Sequence, residues 1–175
     1  VNLTEYPVVD LILGKERQTQ IGRGVFDSQF KTFPAELQQS ITAYCNQGGN
    51  VLVSGAYVGT DLWDNGEVNV QDLDFAKKVL KYNWRTGQAS VTGEVKSVQS
   101  PFRTISGHYE FYNELNEHSY VVESPDAIEP ADPACFTIYR YSENNLSAGV
   151  AYKGRYKTCV LGFPIETLKS DEQRD

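Results

Sequence analysis

The sequence predicts an α/β domain of three layers, with a mostly parallel sheet in its first half and antiparallel strands in its second. Three observations predict it. Two nearly continuous apolar runs, Pro7–Leu13 and Asn50–Ser54, flank a stretch of helical periodicity, and only short punctuated loops separate the helix from the second run. Beyond Gly87 the pattern changes to brief alternating segments divided by Gly, Pro and Asn. A continuous apolar run suits a strand buried on both faces of a parallel sheet, whereas alternation suits hairpins with one wet face.

The first run ends at Gly14 and gives way to a polar loop through Gly22 and Gly24. A helix is expected over Pro34–Cys45. Thr32 or Phe33 precedes a proline placed in the first turn, where its missing N–H costs nothing, and Gly48-Gly49 stand just past the end. Leu37, Ile41, Tyr44 and Cys45 recur at helical spacing and form one core-facing stripe. With Asn50–Ser54 as the next strand, strand, helix and strand make a βαβ unit with a right-handed crossover. A second helix is expected from Gln71 to Tyr82, with Leu73, Ala76, Val79 and Leu80 on one face and Phe75 at its border. The shorter strands are read at Ala89–Thr92, Glu94–Val98, Tyr120–Glu123, Phe136–Tyr141, Gly149–Lys153 and Thr158–Leu161. Three prolines in Ser124–Pro133 mark that stretch as an exposed connection.

A length of 175 residues suits one domain with a continuous core. The chain contains no Met, so it reads as a processed, cloned or proteolysed piece of a longer protein. A net charge of −7 argues against nonspecific binding to nucleic acid or anionic lipid, both of which call for basic patches. It leaves a neutral sugar or a protein partner open. No apolar run approaches the ~18 residues of a membrane span. Cys45, Cys135 and Cys159 form no CxxC pair, and each sits in apolar surroundings that suit a buried small side chain; one disulfide is possible in an exported protein.

Gly48-Gly-Asn-Val-Leu-Val-Ser-Gly-Ala-Tyr-Val-Gly-Thr-Asp61 and Val160-Leu-Gly-Phe-Pro-Ile-Glu-Thr167 carry a family resemblance. Together they resemble a C-terminal region of secreted bacterial proteins labelled xanthan lyases. That region is similar to class I glutamine amidotransferases and related flavodoxin-like domains, and the resemblance runs from Tyr6 to Arg174. It implies a turn after a central strand that presents a Cys nucleophile within Gly-x-Cys-x-Gly, and a His-x-Glu pair after a later strand to activate it. Such a turn places its central residue at the carboxyl edge of the sheet, where a helix amino terminus stabilises negative charge. Here the first pattern is Gly55-Ala-Tyr-Val-Gly59, with Tyr57 in place of the thiol; the second is Pro164-Ile-Glu166, with Pro164 in place of the base. A phenol of pKa ~10 does not replace a thiolate in acyl transfer, so glutaminase chemistry is not expected. Members of this family also place a strand and helix before the element corresponding to Val8–Leu13.

His108, Glu110, Glu114, Glu117 and His118 share one acidic, aromatic segment without metal-ligand spacing, so no metal site is expected and a solvated surface suits them better. Gly14, Gly22 and Gly24 fit no phosphate-loop spacing, and no cofactor is expected. Tyr57, Asp61, Trp63, Asp64 and Glu166 could line a polar pocket for a sugar, or Asp61 and Asp64 could instead cap loops and turns. A lyase needs a base and a group that neutralises a carboxylate, for which Tyr57 with Arg103 or His108 are candidates. The expected function is an accessory, noncatalytic domain of an exported carbohydrate-active protein, binding polysaccharide or packing against a neighbouring domain. Two alternatives stay open: a lyase or hydrolase rebuilt around Tyr57, Asp61 and Glu166, and a structural assembly domain.

Overall fold

The computed structural model describes residues 2–19, 30–66, 68–101 and 106–174. Gly22, Gly24 and Arg103, which entered the sequence reading, lie outside the described residues. A mixed sheet of seven strands dominates. In chain order the elements are β1 (Val8–Ile12), α1 (Ala35–Asn46), β2 (Asn50–Ser54), α2 (Thr60–Trp63) and α3 (Val70–Asp74), which runs into a π-helical segment at Phe75–Leu80. Then come β3 (Tyr82–Thr86), β4 (Glu94–Ser97), β5 (His108–Glu110), β6 (Ala127–Pro130), β7 (Cys135–Tyr141), β8 (Ser147–Lys153) and β9 (Lys157–Leu161). The large sheet has the order β1-β2-β9-β8-β7-β4-β5, and β3 pairs with β6 in a separate antiparallel ribbon.

β1, β2 and β9 are parallel, with Val9 opposite Val51 and Val53 opposite Val160. β8, β7, β4 and β5 follow as antiparallel neighbours. The parallel β1–β2 pair and the antiparallel later strands expected from the sequence are present. Thr158–Leu161, read as one of the antiparallel segments, instead inserts as β9 parallel to β2, because its place between β2 and β8 is set by tertiary pairing rather than by local pattern. α1 packs on one face of β1 and β2, burying Ile41, Tyr44 and Cys45 against Val51 and Val53. Gly48 ends the helix region with φ 92°, a conformation that a Cβ would strain.

The core divides by sheet face. Phe33, Ile41, Leu62, Phe75 and Leu80 meet Val53, Val150 and Val160 on the helical side. On the other side Leu161 and Ala151 meet Tyr109, Phe111, Phe163 and Leu168. The side chains that build this second cluster come from strands, loops and turns, so a third helical layer is not seen among the described residues.

Several local expectations are corrected. β1 is an edge strand rather than a strand buried on both faces: Val9 and Leu11 face α1, while Val8 and Ile12, on the opposite face, are more than half exposed. An apolar run cannot tell an edge from a centre, because only the neighbouring strand does so. The second helix stops at Leu80, not Tyr82. Lys81 takes the left-handed turn at φ 74° without a glycine to announce it, and Tyr82 opens β3. Ala89–Thr92 and Tyr120–Glu123 are not strands. His108–Glu110 forms a short strand that was not anticipated, with Tyr109 buried, while His108, Glu110, Glu114, Glu117 and His118 are all exposed, as the sequence reading has them. Finally, the proline-rich stretch 124–133 is not an exposed connection. Asp126, Ala127 and Ile128 within it are fully buried, and Ala127–Pro130 forms β6. Proline disfavours a central strand, but β6 sits in a two-stranded ribbon where its free edge needs no donor.

Candidate ligand site at the carboxyl edge of the sheet

β2 ends at Ser54, and the chain turns through Gly55–Gly59 into the short helix α2. The turn is tied to both neighbouring strand ends: Gly55 N donates to Leu161 O (3.3 Å) and Ala56 N donates to Gly14 O (2.8 Å). Tyr57 therefore stands at the carboxyl edge of the parallel strands. Its φ is not positive, so the turn is made without the strained residue of a sharp nucleophile elbow. The phenol is only 9 % exposed, and the Arg17 guanidinium lies 4.9 Å from its ring centroid. Gly59 allows a close approach that no other residue would permit, since a Cβ there would meet Trp84 Cδ1 at 2.3 Å.

Asp126 lies behind this turn and is fully buried. Its carboxylate accepts from Gly59 N (2.6 Å), Thr60 N (2.9 Å), the Thr60 hydroxyl and Trp84 Nε1 (3.1 Å). The free N–H groups at the start of α2 are thus satisfied by an internal anion. Burial pushes Asp126 up to about 6, against the opposing pull of the bonds from Thr60, Gly59 and Trp84. The amides of Gly59 and Thr60 are consequently engaged and not available to a developing oxyanion.

A cavity of about 450 Å³ opens beside the turn. Among the described residues, Tyr57, Trp84 and Arg17 form part of its wall, with Thr60, Asp64, Thr86, Gly87, Gln88 and Ser124. It combines two aromatic side chains with hydroxyls, an amide, one guanidinium and one carboxylate, a set suited to polar ligands with hydroxyl groups.

Of the residues read from the sequence, Tyr57 and Asp64 line this cavity; Asp61, Trp63 and Glu166 do not. Asp61 is buried and clamps two loops, its carboxylate accepting from Gln18 N (2.7 Å), Thr32 N (2.8 Å) and Asn65 Nδ2. Trp63 packs on Tyr82 with ring centroids 6.0 Å apart. Pro164 precedes a tight turn at Ile165–Thr167, where Glu166 accepts from the Tyr120 hydroxyl, with Gly14 close by. Burial, then Glu166, raises the Asp10 carboxyl above its ordinary value. Arg17, Thr60, Trp84 and Asp126 were missed. Trp84 alone carried a signal, in the alternation of Tyr82, Trp84 and Thr86. Asp126, 66 residues from Thr60 and set among prolines, carried none.

None of the cysteines is among the residues that line the cavity. All three are free thiols; burial pushes Cys45 up to about 11 and Cys159 up to about 12. Cys159 lies within β9, away from the strand's carboxyl end. His108 is on β5, and His118 stacks on Tyr112 at 5.9 Å. Glu110 pairs with Lys169 at 2.9 Å. Among the described residues no group of three or more His, Cys, Asp or Glu side chains could hold a metal ion. No helix there is long and apolar enough to cross a membrane.

Fold and site together define a mixed α/β domain with a polar, aromatic-walled cavity at the carboxyl edge of its parallel strands. No protein-family model matches the chain, and no curated protein matches it. Among solved structures, the exo-β-1,4-mannosidase Op5Man5 from Opitutaceae bacterium strain TAV5 is similar over 95 % of this chain, with 12 % identity and a TM-score of 0.53. This chain corresponds to 22 % of the length of that mannosidase. The mmIFT52 N-terminal domain is similar over 78 % of this chain and 63 % of its own, with 16 % identity and a TM-score of 0.39. The first likeness concerns the fold.

Proposed function

We propose that this is an accessory, noncatalytic domain of an exported carbohydrate-active protein, and that it binds glycan in the cavity beside Tyr57. The observation that carries this reading is the cavity itself: a polar space of about 450 Å³ walled by Tyr57 and Trp84. Aromatic faces take up the apolar face of a pyranose ring, while Thr60, Thr86 and Gln88 are placed for its hydroxyls. A fold likeness to part of a mannosidase chain is in keeping with a carbohydrate-related role. The replacement of the nucleophile by Tyr57 and of the base by Pro164 supports a noncatalytic reading. So does the commitment of the Gly59 and Thr60 amides to Asp126. A site rebuilt around Tyr57, Asp61 and Glu166 is less well supported, because Asp61 is consumed by its three donors and neither acid lines the cavity.

Calorimetric titration of the purified domain tests this, with β-1,4-mannooligosaccharides and a panel of neutral and acidic oligosaccharides. Binding of at least one class is expected. Arg17→Ala and Gln88→Ala should weaken it at least fivefold, since both are exposed residues of the cavity wall whose truncation leaves the core intact. Absence of binding across the panel at millimolar concentrations would overturn the proposal.

A further inference from the structure

The cavity wall is held from behind by one carboxylate. Asp126 is not part of the lining, yet two of the three residues that donate to it, Thr60 and Trp84, are. Its main chain is fixed as well: Asp126 N donates to Gly162 O (2.8 Å), and the Tyr141 hydroxyl donates to Asp126 O (2.7 Å). The side chain therefore joins α2 and β3 from a main chain held by these two bonds. We propose that Asp126 is the positioning residue of the cavity, setting the Trp84 indole and the Thr60 hydroxyl, so that the shape of the aromatic wall follows the hydrogen-bonding state of this carboxylate.

The geometry makes that state consequential. An ionised carboxylate accepts all four bonds. A protonated one must donate from one oxygen, and three of its four neighbours, Gly59 N, Thr60 N and Trp84 Nε1, can only donate. Only the Thr60 hydroxyl can reverse. The Trp84 bond, at 3.1 Å the longest of those from N–H donors, is the one most readily given up. The other titratable groups facing this carboxylate are Tyr82 on β3 and Tyr141 on β7, both held well above the ordinary tyrosine value by burial first and then by Asp126. From α2, Asp61 also acts on Tyr82. Arg85 of β3 faces Glu129 on the exposed side, and no Lys or Arg ion pair to Asp126 is present among the described residues. With burial placing Asp126 at about 6, the wall loosens as pH falls through that value.

The consequence for binding rests on the glycan reading; the positioning role does not, and the experiment separates them. In ¹⁵N-labelled domain the two indole N–H resonances are assigned with Trp63→Phe and followed from pH 4.5 to 8. The Trp84 resonance should titrate with a midpoint near 6 and the Trp63 resonance should not; in Asp126→Asn the Trp84 titration should vanish. Thr60→Val removes the one neighbour that can bond either form of the carboxyl, and its midpoint should move away from that of the wild type, which keeps the test open if Asp126→Asn fails to fold. A Trp84 resonance that is flat in the wild type, or that titrates unchanged in Asp126→Asn, overturns the inference. Calorimetry with β-1,4-mannotetraose at pH 7.5 and pH 5 forms the second arm, with about tenfold weaker binding expected at pH 5 in the wild type and equal binding in Asp126→Asn. Pronounced indole titration without binding of any sugar would retain the positioning role and sink the glycan reading. Binding that is indifferent to pH, with a flat indole, would do the reverse.

Discussion

Replacing Tyr57 by Ala and by Phe separates what the ring does from what the hydroxyl does. The ring is 9 % exposed, belongs to the cluster that includes Ala56, Leu161 and Phe163, and carries Arg17 at 4.9 Å. Truncation to Ala removes an aromatic body from a packed site that can collapse only partly, at a cost of about 3–5 kcal/mol. In a domain of this size each kcal/mol moves Tm by about 2–4 °C, so Tyr57→Ala should melt about 6–20 °C below the wild type. The hydroxyl makes no hydrogen bond among the described residues, so Tyr57→Phe should stay within about 1 kcal/mol. Urea and thermal denaturation of both variants, followed by circular dichroism, give the two numbers. An Ala variant within about 1 kcal/mol of the wild type would refute the packing argument and leave the ring as a free ligand platform. A Phe variant as damaged as the Ala variant would show that the hydroxyl, not the ring, was the group that mattered.

Three other outcomes are expected. Moving the Asp126 carboxyl from 3.8 to about 6 disfavours its ionised form by about 3 kcal/mol. Because the folded value is the higher one, this contribution is fully present below pH 3.8 and lost as pH rises through about 6. The stability of the wild type minus that of Asp126→Asn should therefore fall by about 3 kcal/mol between pH 3.5 and 6.5 in urea titrations. A difference that rises with pH would mean that the bonds from Thr60, Gly59 and Trp84 outweigh burial. Asp61→Ala leaves the Gln18 and Thr32 amides without their acceptor and should cost about 2–4 kcal/mol, with faster hydrogen exchange at those two amides as its local signature. Unchanged exchange would remove Asp61 from its clamping role. The purified domain should release no ammonia from glutamine above a blank; release that disappears in Tyr57→Phe would restore an acyl-transfer site.

The parts of the fold that were legible in the sequence are those in which neighbouring residues decide the outcome. The α1 stripe of Ile41, Tyr44 and Cys45 is set by helical spacing, and Gly48 stops the helix by its own backbone freedom. Val51 and Val53 of β2, with Val160 of β9, are apolar on the side that receives the helices. Much of the candidate site was not legible for the same reason. Tyr57 and Asp64 lie near the motif that singled them out. Arg17, Trp84 and Asp126 reach the cavity or its support from three separate stretches of chain. Asp61 shows how a polar residue close to a motif is assigned its role by partners 29 and 43 residues away.

By itself the sequence determined the α/β class, the parallel β1–α1–β2 unit and the antiparallel character of most of the later strands. Each of these follows from side-chain chemistry or short-range periodicity, which survive without a fold. Only the tertiary structure decided that Pro7–Leu13 lies at an edge, that Asp126 is buried inside a proline-rich stretch, and that its carboxylate occupies the amino terminus of α2. Edge position depends on which strand pairs on either side, and burial depends on what packs above, neither of which is written in local pattern. A carboxylate loses its water only when distant elements close around it. The residue that binds the cavity wall together is therefore one that looks, in sequence, like part of an exposed loop.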